Sequence, residues 1–186
     1  MIRPIFSCVA LSAALWLTGC GPTVKVNTAA VSDLSRYRTY AWYAGGSGGE
    51  GDIVGLYGGR EQLAAEVLRK SIDEGLKRNG FSPAAADAEA DVLVLYRLGV
   101  TSRREVDEYK TVQRNGETFA VPEEVTIYRG GTLLIYLLDP RLNDVVWAGT
   151  ASAEAKAADS DAEARSRLEK AVRSVFDAMK KDRKKS

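Results

Sequence analysis

Apolar and polar positions divide the chain into an N-terminal apolar run, a series of strand-like stretches and two strongly helical segments. Residues 5–17 are almost wholly apolar and follow a single basic residue, Arg3. That run is short of the roughly 20 residues needed to span a hydrocarbon core, so it reads as an export signal rather than a retained helix. Strict alternation over Val24-Lys25-Val26-Asn27-Thr28 predicts a strand with one buried face. After a turn at Asp33-Leu34-Ser35-Arg36, the aromatic and β-branched stretch Tyr37-Arg38-Thr39-Tyr40-Ala41-Trp42-Tyr43 predicts a second. Residues 45–59 contain eight glycines and read as a loop.

Helical spacing of Ala64, Val67, Leu68, Ile72, Gly75 and Leu76 predicts a helix over 61–79. Gly80 should close it in the left-handed conformation, with Phe81 folding back and Pro83 preventing resumption. Asp91-Val92-Leu93-Val94-Leu95-Tyr96-Arg97-Leu98 alternates little, as expected of an interior strand covered on both faces. Residues 101–124 are more polar and predict an excursion of short exposed strands turning at Asn115-Gly116. A further hairpin is expected from Val125-Thr126-Ile127-Tyr128, through Gly130-Gly131, to residues 132–138. Residues 139–144 then turn the chain into a last strand at 145–151. Ser160 and Glu163 are spaced for a capping box, and Leu168, Ala171, Val172, Val175, Phe176 and Met179 form the apolar stripe of a helix over 160–180. The basic run that follows suits a solvated helix end, where the dipole favours cations.

These elements imply an α+β fold: a two-layer sandwich with a mostly antiparallel sheet of five or more strands and two helices on one face. The expected organisation is a signal peptide at 1–19, an acylated tether at 20–23, a single domain at 24–180 and a basic tail at 181–186. The signal ends in Leu17-Thr18-Gly19-Cys20, with small residues beside the cut between Gly19 and Cys20 and a thiol just after it. This is the pattern of a lipoprotein whose Cys20 is acylated. Each buried methylene adds about 0.8 kcal/mol of membrane affinity, so two or three long chains would make attachment effectively permanent. Bacterial lipoproteins retained at the inner membrane resemble one another in carrying Asp after the cysteine; Gly21 here favours, by that resemblance, the outer membrane with the domain facing the periplasm.

Removing residues 1–19 leaves 25 basic residues against 25 acidic ones, and so no general attraction for nucleic acid. The only cysteines are Cys8, in the signal, and Cys20, which leaves no disulfide for the mature domain. Histidine is absent, which excludes Ser-His-Asp, Cys-His and His-based zinc chemistry. No cofactor or metal is expected. The glycine loop spells G-x-S-x-G at 45–49 and G-x-G-x-x-G at 46–51, but neither motif adjoins the helix that its chemistry needs. Paired carboxylates are the catalytic chemistry that remains open, among Asp91, Glu105, Asp107, Glu108, Glu123, Glu124, Asp139 and Asp144. Their spacing singles out no pair, and turn formation or solvation accounts for them. Tyr40, Trp42, Tyr96, Tyr136 and Trp147 lie on predicted strands and form a candidate binding surface, should the helices leave one sheet face bare.

The lipobox, Tyr37 with Thr39-Tyr40-Ala41-Trp42, the helix ending at Gly80-Phe81, Ala90-Asp91-Val92-Leu93-Val94, and Gly131-Thr132 leading through Asp139 to Val146-Trp147-Ala148-Gly149-Thr150-Ala151 carry a resemblance. In order and spacing, the chain resembles the bacterial outer-membrane lipoprotein family known as domain of unknown function 4136. The resemblance implies a mixed helix and sheet domain and transfers no enzymatic activity. The functional expectation is a non-enzymatic envelope lipoprotein acting as a structural or protein-interaction module, with an envelope protein or the cell wall as partner. A binding module for a small apolar or lipid ligand, held in a pocket between sheet and helices, is the alternative, and a carboxylate-dependent enzyme a third.

Overall fold

The computed structural model describes residues 24–30, 33–44, 51–54, 60–85, 90–156 and 160–185. The export signal, Gly19, Cys20, the tether and the glycine-rich residues 45–50 and 55–59 lie outside the described residues. Seven strands, β1 (Lys25–Ala30), β2 (Thr39–Trp42), β3 (Gly51–Val54), β4 (Ser82–Pro83), β5 (Val92–Arg114), β6 (Glu117–Asp139) and β7 (Asp144–Lys156), join two helices, α1 (Arg60–Arg78) and α2 (Asp161–Lys185). The sheet runs β1-β7-β6-β5-β2-β4, with β3 also on β5. Antiparallel ladders link β5, β6, β7 and β1, whereas β2 and β3 lie parallel to successive parts of β5 and β4 lies parallel to β2. Among the described residues, no helix is long and apolar enough to cross a membrane.

Both helices lie on one face of the sheet and enclose a single core. Leu68, Ile72 and Leu76 from α1 and Val172, Val175, Phe176 and Met179 from α2 meet Val94, Ile135, Leu137 and Trp147. The helices run side by side in the same direction: Arg60 pairs with Asp161 at 3.0 Å where they begin, and the Asn79 amide donates to the Phe176 carbonyl at 3.2 Å where α1 ends. Gly75 permits their close approach, because a Cβ there would stand 2.2 Å from the Phe176 ring. Their ends follow the expected chemistry. Gly80 takes φ +83°, Phe81 N–H donates to the Leu76 carbonyl at 3.1 Å and Gly80 N–H to Lys77 at 3.0 Å, which completes the C-terminal motif. Ser160 and Glu163 bond reciprocally at 3.3 and 3.1 Å as a capping box.

Four expectations change. Gly51–Val54, within the expected loop, form β3 and pair with β5, which holds this part of the glycine-rich stretch extended. Val92, Val94, Tyr96 and Leu98 are buried under the helices, while Leu93 and Leu95 are half-exposed on the far face, so β5 is covered on one side only. A single helical layer cannot cover both faces. Gly130-Gly131 makes no turn: both residues sit in mid-β6, paired with Thr101 and Val100 on one side and Glu154 and Ala153 on the other. Asn115 and Gly116, with φ of +55° and +80°, take the turn alone, joining two strands of 23 residues into one long hairpin. The basic tail continues α2 to Lys185, and Arg183 donates to the Asn79 carbonyl and lies 4.8 Å over the Phe81 ring.

Candidate functional site

Strand alternation separates the aromatic set rather than joining it into one exposed patch. Tyr40, Tyr96 and Trp147 point toward the helices and are buried, with Trp42 half-buried beside them. Tyr40 and Trp42 both donate to Asp73 of α1, at 2.8 and 3.1 Å, and Arg69 lies 5.1 Å over the Trp42 ring. Burial, followed by the hydrogen bond to Asp73, raises the Tyr40 phenol above its ordinary value. Burial also raises Tyr96, whose ring meets Trp42 edge-on at 6.2 Å. Trp147 stacks on Phe176 at 6.2 Å, and its indole N–H donates to Asp182 at 3.4 Å. Tyr136 belongs to the far face, half-buried and directly opposite Leu95 and Ala148. Four of the five aromatics therefore tie helices to sheet.

Among the carboxylates, Asp91 accepts from the backbone N–H groups of Arg38 and Thr39 at 2.8 and 2.9 Å. Its own N–H donates to the Thr39 hydroxyl at 3.0 Å, latching the start of β2 to the start of β5. Those two backbone bonds hold its carboxyl below the usual range. Asp139 is 3% exposed, and burial alone would raise it. The N–H groups of Arg141 and Leu142, the Tyr37 hydroxyl at 3.2 Å and the Arg141 charge outweigh burial and lower it instead. Glu105 pairs with Arg103 at 3.0 Å, Glu123 with Lys110 at 3.6 Å, and Asp144 accepts from Val145 N–H at 2.8 Å. The described residues hold no group of three or more Asp or Glu placed to bind a metal.

Two features are more definite than the sequence reading made them. The first is the outer half of the β5–β6 hairpin. β7 ends opposite Tyr128 and β3 ends opposite Gly99, so beyond these points the strands pair only with each other among the described residues. From Arg104/Ile127 to the turn, this ribbon extends about 35 Å at roughly 3.4 Å per residue. Val112, Val125 and Ile127 are 39%, 42% and 42% exposed along it. Register shifts between Val106 and Tyr109 bend it, and Arg103, stacked 4.7 Å over Tyr128 and bonded to Glu154, braces its base.

The second is a cleft of about 160 Å³ where the beginnings of α1 and α2 stand over the sheet. Leu98, Leu133 and Ala151 close its floor, and Leu63 and Leu168 form its walls. Gly131 faces into it on the same side of β6 as Leu133, and a Cβ at Gly131 would meet nothing within 4 Å. Arg60, Arg129 and Arg167 stand at the mouth. Two glycines inside an otherwise regular strand were the one hint of this hollow in the sequence.

A comparison with curated proteins finds no match. Among solved structures, the chain is similar to a DUF4136 family protein from Bacteroides thetaiotaomicron, with 13% identity and a TM-score of 0.44 over 85% of this chain and 95% of that one. It is similar to a PelC dodecamer from Paraburkholderia phytofirmans, with 16% identity and a TM-score of 0.42 over 83% and 95% of the two chains. A minor lipoprotein from Acinetobacter baumannii is similar at 10% identity, with a TM-score of 0.29 over 70% and 89%. The sequence pattern described as Domain of unknown function (DUF4136) matches residues 24–178, nearly the whole of the domain described above, and the chain belongs to that family.

Proposed function

We propose that this protein is a bacterial envelope lipoprotein, fixed to the outer membrane by acyl chains on Cys20, that works in the periplasm by holding another envelope protein rather than by catalysis. The ribbon formed by the outer half of β5 and β6 carries this reading. An isolated two-stranded ribbon is marginally stable in water, and its edges present unpaired N–H and C=O groups ready to accept another strand. A partner that adds a strand and packs on Val112, Val125 and Ile127 satisfies both deficits at once. Alternating charges and the bend near Val106 fit a surface that discourages indiscriminate edge pairing. The lipobox supports the anchoring half, and the mature chain's balanced charge gives it no general attraction for nucleic acid.

The anchor and the ribbon are tested separately. Labelled palmitate should enter the wild-type chain and not Cys20→Ala; an unlabelled, soluble wild-type protein refutes the anchor. A photoactivatable side chain at Val112 should give discrete adducts in intact cells, whereas one at Arg165, exposed on α2, should not. Lack of adducts from Val112, Val125 and Ile127 alike refutes the interaction reading.

A further inference from the structure

The cleft between the helix beginnings and the sheet is hollow because of what its residues lack. Leu98, Leu133 and Ala151 are 4%, 2% and 2% exposed, so its floor is closed, yet Gly131 leaves open the space that a strand side chain would otherwise fill. The lining is overwhelmingly apolar, and a sugar's hydroxyls would lose their hydrogen bonds there. Size narrows the occupant further. A dry cavity of about 150 Å³ accepts one benzene-sized group; by the same measure this one, at about 160 Å³, takes a single hydrocarbon chain of about six carbons, and not a diacyl lipid.

Charge at the mouth selects the other end of the ligand. Arg60 is paired with Asp161 at 3.0 Å, and the carboxylate of Glu154 is held by Arg103 at 3.2 Å. Arg129 adds a further guanidinium group to the lining, whereas the first turns of the two helices already carry their own carboxylates, Glu61, Asp161 and Glu163. Arg129 lies on the same face of β6 as Gly131 and is exposed, so it stands at the outer end of the hollow. We propose that this cleft binds a medium-chain carboxylate, with its hydrocarbon tail over Gly131 on the Leu98 and Leu133 floor and its carboxylate on Arg129. The proposal is independent of the interaction reading and stands if the ribbon proves to have no partner.

Calorimetric titration of the full chain carrying Cys20→Ala with butanoate, hexanoate, octanoate and decanoate tests it. Affinity should rise about fourfold per methylene and level off beyond a tail of about six carbons. Methyl octanoate, which keeps the tail and loses the charge, should bind at least fivefold more weakly than octanoate. Arg129→Ala should reduce octanoate binding by a similar factor and leave the ester unaffected. Gly131→Val should weaken octanoate at least tenfold; its φ is not in the left-handed region and valine suits a strand, so the fold should persist, as near-ultraviolet circular dichroism will report. If that variant does not fold, the chain-length series and Arg129→Ala decide. A flat dependence on chain length, equal affinity for acid and ester, or unchanged binding by a folded Gly131→Val protein overturns the proposal.

Discussion

Single residues set the tolerances of this fold. Gly75→Ala offers better helix propensity by about 1 kcal/mol, yet drives a methyl group into the Phe176 ring. Overpacking of this kind costs about 1–3 kcal/mol, so the variant should unfold at lower urea concentration than wild type. Asp139 sets a pH dependence whose sign follows from its lowered carboxyl. The stabilisation is present above the unfolded value near pH 4 and is lost as pH falls through the lower folded value. Urea midpoints measured from pH 7 to pH 2.5 should therefore fall less steeply in Asp139→Asn than in wild type; parallel curves would show that Asp139 contributes nothing to acid unfolding. Local chemistry of this kind was legible in advance: Gly80 with Phe81, and Ser160 with Glu163, act through neighbours three to five residues away. The partners of Asp139 and Asp73 were not, because Tyr37 is 102 positions from Asp139 and Tyr40 is 33 from Asp73.

At the scale of elements, the helices and most strands could be read from periodicity, while strand length and hairpin register could not. Gly130-Gly131 and Asn115-Gly116 are both acceptable two-residue turns by composition. The choice between them depends on β7, which pairs with Gly130 and Gly131 from the other side and keeps them extended. The little-alternating run at 91–98 misled for a related reason, since Leu93 and Leu95 gain partial cover from their strand neighbours without a second layer. Among the described residues the ribbon beyond Tyr128 has ladder bonds on one side of each strand only, so its protection should be local. Hydrogen exchange should show amides of residues 105–125 exchanging at least tenfold faster than those of Val94, Tyr96, Ile135 and Leu137. Equal protection would mean that something covers the ribbon in the free protein.

In the whole molecule, the α+β sandwich follows from amphipathic helices that must bury one stripe each against a sheet. A pocket between sheet and helices was among the expectations, but its place could not be read from the sequence because it is an absence, made where two helix beginnings and three strands leave a space unfilled. The direction of β1 carries a consequence for how the molecule meets a bilayer. β1 runs antiparallel to β7 from Lys25, opposite Ser152, to Ala30, opposite Trp147, so the chain enters the sheet at the end from which the ribbon departs. Four residues lie between Cys20 and Lys25, and the five backbone steps can stretch to about 17 Å, roughly half the ribbon's reach. On the anchoring proposed above, a domain leashed so briefly at Cys20 has no room to stand upright with the ribbon pointing at the lipid. Such an anchor would make it recline, with the hairpin lying across the headgroups like a rail and within reach of whatever else is embedded in that leaflet.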